Sequence, residues 1–219
     1  EPLEIRGIDM GAPTIPMTDG KTIRLPSRVS LFKDKEANSK FYKVLTSYQC
    51  GMIEFGTFDF NTEDVERKLP DLGLKEADTI KDVLAAFPNP ELASRVFYLS
   101  ELARVGSRLR ETYPGLVNYM DEANNVFLMS ESKERSPLLK ALLHHSLAKK
   151  TSLTLEEELE TTYEKATKEL DTLGAPDARV EDSLRATYNI SSMLEGAEIE
   201  DDPTIKKESE ITERIKLSS

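Results

Sequence analysis

Tryptophan is absent from this 219-residue chain, cysteine occurs once, histidine twice and glycine ten times. Each scarcity removes a class of protein. A single cysteine, Cys50, cannot close an internal disulfide, so nothing points to an oxidising compartment. The two histidines are neighbours, His144 and His145, and on a helix adjacent side chains point about 100° apart, so one ion cannot be gripped by both from that face. No Ser-His-Asp set can be assembled from them, and no glycine-rich phosphate loop is present. No apolar run approaches the roughly 18 residues of a membrane span. A net charge of −11 argues against nucleic acid as a partner, because phosphates would be repelled. No basic-then-apolar leader is visible, so the expected location is cytoplasmic.

What is present describes a helical protein. Hydrophobic residues make up 38% and charged residues 32%, in a chain long enough to bury a sizeable core. Residues 1–13 read as an irregular, Pro- and Gly-punctuated lead-in. Residues 14–17 and 22–25 flank Asp19-Gly20, a pair that takes positive φ easily, and this predicts a β-hairpin confined by Pro16 and Pro26 to a small sheet or an edge. Helical spacing then takes over. Phe41, Val44, Leu45, Tyr48 and Met52 recur at steps of three and four, whereas Lys40, Lys43, Ser47 and Gln49 lie mostly off that face. Gly51 is expected to permit a close helix contact, and Gly56 to stop the helix. Further helices are predicted over 75–87, over 90–113 between Pro90 and Pro114-Gly115, over 116–129, over 138–149 behind Ser136-Pro137, over about 154–173, and over 180–194. Thr62 is the expected cap of a charged connector, and Thr154 with Glu157 suggests a capping box. The fold class is therefore mainly α: an N-terminal hairpin or small sheet on a multi-helix bundle over 1–150, a helical extension over 151–196, and a charged tail over 197–219.

The centre of the chain is residues 37–60, ANSKFYKVLTSYQCGMIEFGTFDF. Tyr48 and Met52 have the i, i+4 spacing of a His-x-x-x-His zinc helix, on which two imidazoles would converge on a metal. Phenol and thioether are poor zinc ligands, so both are expected in the core and neither a metal nor a cofactor is expected. Cys50 is expected to be a buried, inert thiol, and of the two histidines one exposed and one half-buried. Arg95, Arg104, Arg108 and Arg110 on the long helix read as a solvated face that doubles as the best local basic patch for an acidic partner.

Three segments taken in order, TDGKTIRLP, FYKVLTSYQCGMIEFGTFDF and AAFPNPELASRVFYLSELARVGSRLRETYPGL, resemble the region preceding the von Willebrand factor A domain in the NorD/CbbO family, the partners of MoxR-type AAA+ ATPases. The resemblance covers roughly residues 14–150, and IEFGTF with YPGL carries most of it. It implies a zincin-like frame in which two family histidines fall at Tyr48 and Met52 and a Glu-Asp pair falls at Glu101-Leu102, so that only Glu101 remains. Gln49 stands where a metalloprotease keeps its glutamate base. The implied function is a non-catalytic scaffold between a MoxR-type ATPase and its target complex. Two alternatives are a zincin-related metal-dependent hydrolase and an oligomerising helical module built on the leucine-rich face at 138–147.

Overall fold

The computed structural model describes residues 3–8, 18–30, 32–74, 76–129, 136–149 and 153–195. The predicted tail over 197–219 lies outside them. Among the described residues the architecture is mainly α, eight helices with one two-stranded sheet. The strands are β1 (Glu4–Ile8) and β2 (Thr22–Pro26), and the helices are α1 (Lys35–Glu54), α2 (Thr62–Lys68), α3 (Ile80–Ala85), α4 (Pro90–Thr112), α5 (Val117–Met129), α6 (Pro137–Ala148), α7 (Glu157–Thr172) and α8 (Val180–Glu195).

The sheet differs from the expected hairpin. Its second arm forms as β2, but the described partner is β1, which runs parallel with Ile5 opposite Ile23 and Arg6 opposite Arg24. A strand therefore lies within the predicted lead-in, and a parallel pair needs a longer connection than a two-residue turn. The first predicted arm, residues 14–17, lies outside the described residues. Asp19-Gly20 still turns the chain: Gly20 has φ 86°, and the Asp19 carboxylate accepts from the backbone N–H of Lys21 at 3.0 Å and Thr22 at 2.7 Å.

Helix ends follow side-chain chemistry, in places one residue from where expected. Asp34 caps α1 by accepting from Glu36 and Ala37, and Gly56 follows its end at φ 69°. Asn61, not Thr62, caps α2. The helix expected over 75–87 is shorter because Thr79 caps it in a full capping box with Asp82. No such box opens α7, where Glu156 stands at the cap without a side-chain bond.

Helix α4 is the axis of the bundle. Its buried residues run without a break from Leu99 to Gly106, so it is covered on all sides instead of along one stripe. On one side it packs Leu102, Val105 and Leu109 against α1, α5 and β2 through Val44, Leu45, Tyr48, Met120 and Ile23. On another, Ala93 and Phe97 meet α2, α3 and α8. On a third, Val96, Leu99 and Ala103 meet Leu138, Leu142, Leu170 and Ile190 of α6, α7 and α8. The two helices of the predicted C-terminal extension thus share a core with α4 and α6.

The crossing of α1 and α4 is set by two glycines. A Cβ on Gly51 would sit 2.9 Å from Val105 Cγ1 and 3.2 Å from Leu109 Cδ2, and a Cβ on Gly106 would sit 3.0 Å from the Tyr48 hydroxyl. Substitution Gly51→Ala should therefore destabilise the protein by about 1–3 kcal/mol through overpacking, although helix propensity alone would favour alanine by about 1 kcal/mol. Denaturant unfolding measures the sign, and an unchanged or raised midpoint would show that the helices do not approach this closely.

Candidate functional site

The positions that would carry zinc ligands in a zincin are filled by packing. Tyr48 and Met52 are 1% and 0% exposed and continue the buried stripe of Phe41, Val44 and Leu45. Burial pushes the Tyr48 phenol up to about 12, so it remains protonated and presents no phenolate. Leu102, at the second acidic position of the family pattern, is fully buried in the same core.

Gln49 corrects the expectation that it lies off the buried face. It is fully buried, and its side-chain amide behaves as a neighbouring strand would. Oε1 accepts from the Arg24 backbone N–H at 2.7 Å while Nε2 donates to the Arg24 carbonyl at 2.6 Å. The rest of this edge of β2 is closed in the same manner. Thr18 Oγ1 donates to the Thr22 carbonyl at 2.7 Å, Asp19 accepts from the Thr22 N–H at 2.7 Å, and the Tyr42 hydroxyl donates to the Pro26 carbonyl at 2.7 Å. A strand edge is a template for another chain, and here it is occupied by side chains.

Glu101, the remaining acidic position, is fully buried and forms an ion pair with Arg104 one turn later on α4. The pair is bidentate: Arg104 Nε donates to Oε1 at 2.8 Å and Nη2 to Oε2 at 2.7 Å. The Thr57 hydroxyl also donates to Glu101 Oε2, while Arg104 Nη1 donates to the Phe55 carbonyl at 2.8 Å and Nη2 reaches Thr57 Oγ1 at 3.2 Å. The turn that ends α1 is thereby fastened to the middle of α4, where Thr57 N–H additionally donates to the Met52 carbonyl at 2.9 Å.

This arrangement removes Arg104 from the predicted basic face, since it is only 1% exposed. The other three arginines do not form a free cationic patch. Arg108 donates to the Pro176 carbonyl and lies 5.5 Å from the Phe55 ring centroid, Arg110 pairs with Asp121 at 2.6 Å, and Arg95 is half-buried. Two further expectations are corrected. Cys50 is exposed on α1, where partial burial and the Glu54 charge push its thiol pKa up. Both histidines are buried, at 3% and 8% exposure, because α6 is covered by α4 on one side and α7 on the other. His145 Nε2 bonds Asp171 at 2.9 Å, and burial, with Lys140 nearby, lowers the His144 pKa.

A groove of about 850 Å³ runs along α1 between the segment after β2 and the end of α4, bordered by Arg28, Tyr42, Lys43, Cys50 and Tyr113. The Tyr113 hydroxyl donates to Glu54 across its end at 2.8 Å. Among the described residues, no three His, Cys, Asp or Glu side chains gather as a metal site. No protein-family model, curated protein or solved structure matches the chain.

Two substitutions test the geometry. Glu101→Ala leaves a buried guanidinium unpaired and should cost about 3–5 kcal/mol, whereas the double change Glu101→Leu with Arg104→Met should cost clearly less than the sum of its single changes. Additive effects in denaturant unfolding would mean that the two side chains act independently. Gln49→Glu removes the donor facing the Arg24 carbonyl and brings a charge beside it, at a cost of about 1–3 kcal/mol at pH 7. A glutamate held above its ordinary pKa of about 4.3 loses that penalty on protonation, so the deficit should shrink as pH falls toward 4. An equal deficit at both pH values would contradict the bond to Arg24.

Proposed function

We propose that this chain is a NorD/CbbO-like scaffold region, of the kind that precedes a von Willebrand factor A domain. It links a MoxR-type AAA+ ATPase to a target protein complex that the ATPase remodels or activates, and itself catalyses nothing. The observation that carries this reading is the state of the four zincin-like positions. Tyr48 and Met52 are core side chains, Gln49 closes the β2 edge, and both oxygens of Glu101 are engaged by Arg104 and Thr57. Each group that would bind a metal or activate water in a zincin frame is tied instead to a neighbouring element, which supports architecture over chemistry.

A scaffold of this kind needs a rigid body and an accessible surface. The α1–α4 contact, closed by Gly51 and Gly106 and fastened by Glu101 and Arg104, supplies the first. The groove along α1, bordered by Tyr42, Lys43 and Tyr113, is the candidate for the second. In a pull-down with the host's MoxR-type ATPase in the presence of nucleotide, the protein should be retained, and Tyr113→Asp together with Lys43→Glu should reduce retention while the variant stays folded at the assay temperature, as its circular dichroism checks. Lack of association by the full-length protein, or a stoichiometric zinc lost on changing Glu101, would overturn the reading.

A further inference from the structure

Among the described residues, one edge of the sheet is closed by no side chain. Backbone groups of Thr22, Arg24 and Pro26 on the far side of β2 are taken by Thr18, Asp19, Gln49 and Tyr42, leaving β1 as the outer strand. Glu4 N–H donates to the Lys21 carbonyl at 2.9 Å, so Glu4 and Arg6 direct their backbone groups toward β2. By the alternation of a strand, the N–H and C=O of Leu3, Ile5 and Gly7 then face outward. The apolar side chains of Leu3, just before this strand, and Ile5 are also uncovered: they are 51% and 74% exposed, two of the three large exposed hydrophobics among the described residues. Two strands alone make a marginal sheet, and an apolar open edge is a pairing template.

We propose that the outer edge of β1 is a homodimer interface, on which a second copy of this chain adds its own β1 antiparallel about a two-fold axis at Ile5. The charge order Glu4-Ile5-Arg6 is what selects a second copy. With Ile5 opposite its symmetry mate, Glu4 of each chain falls opposite Arg6 of the other. These are non-hydrogen-bonded positions, where facing side chains are closest. In the single chain Arg6 Nη2 already meets Glu4 Oε2 at 2.7 Å, so both charges lie on one face, and the pairing completes a ring of four alternating charges. Ile5 exchanges both backbone bonds with its mate, and Leu3 does the same with Gly7. Leu3 and Ile5 of both chains then adjoin on the face of the sheet that also carries the buried Ile23. The result is a four-stranded sheet with each outer edge closed by its own Gln49 and Tyr42. A strand this short makes a weak dimer, with a dissociation constant on the order of 10–1,000 µM.

Sedimentation velocity of the whole chain up to about 1 mM tests the interface. The wild-type protein should show a monomer–dimer equilibrium. Glu4→Arg alone and Arg6→Glu alone each place like charges opposite one another twice, by symmetry, and should weaken association about tenfold. An equimolar mixture of those two variants should associate again as a heterodimer, and so should the double exchange Glu4→Arg with Arg6→Glu. Ile5→Pro removes an outward N–H without touching the bonds to β2 and should leave a folded monomer. A monomer at every concentration would overturn the proposal. Association indifferent to the charge changes, or failure of the mixture to restore it, would overturn it equally.

Discussion

A buried carboxylate–guanidinium pair, Glu101 with Arg104, is the constraint on which the rest of the structure depends. Removing two charges from water costs several kcal/mol per ion, and the cost is offset only where the remaining bonding capacity is filled. Here it is filled from outside α4, since the Phe55 carbonyl and the Thr57 hydroxyl both come from the turn that follows α1. The pair therefore does more than neutralise itself. It permits α4 to be buried on every side although it carries charge at its middle, and it holds the end of α1 at one position along α4. Replacing such a pair by apolar groups can be neutral in stability, so its contribution here is the positioning of that turn.

Around this fastening, polar side chains substitute for backbone partners. Gln49 presents an amide to β2 in place of a third strand, and Tyr42, Thr18 and Asp19 complete the edge. The small sheet is thereby joined to α1 by hydrogen bonds as well as by Ile23 and Leu25 packing into the shared core. In the proposed scaffold role, a surface built on α1 would be presented by a body whose helix crossing leaves no room for a methyl group at Gly51.

Much of the fold was legible in the sequence because helices announce themselves locally. The steps of three and four through Phe41, Val44, Leu45, Tyr48 and Met52 placed α1 and its buried face, and Ser136-Pro137 and Pro90 placed the starts of α6 and α4. The parts that were not legible depend on distant partners. Strand β1 is five residues long and has neither a hairpin turn nor a strict alternation to mark it, so only its pairing with β2 defines it. Arg104 and Gln49 looked solvated because a helical wheel assigns polar residues to water, and nothing local to Arg104 revealed that Thr57 and Phe55 would meet it. Glu101 three residues before Arg104 was the available hint, an i, i+3 pair on a helix flanked by apolar residues on every side. Cys50 was misplaced for the opposite reason: an apolar residue between two buried positions still points outward when the neighbouring helix approaches from the side of Gly51.

Amide hydrogen exchange tests most directly whether Glu101 and Arg104 hold the turn after α1. The amides of Phe55 and Thr57, which donate to the Gly51 and Met52 carbonyls, should exchange as slowly as those in the middle of α1 and α4, opening only with global unfolding. Rapid, loop-like exchange at Phe55 and Thr57 while the centres of both helices stay protected would contradict the account.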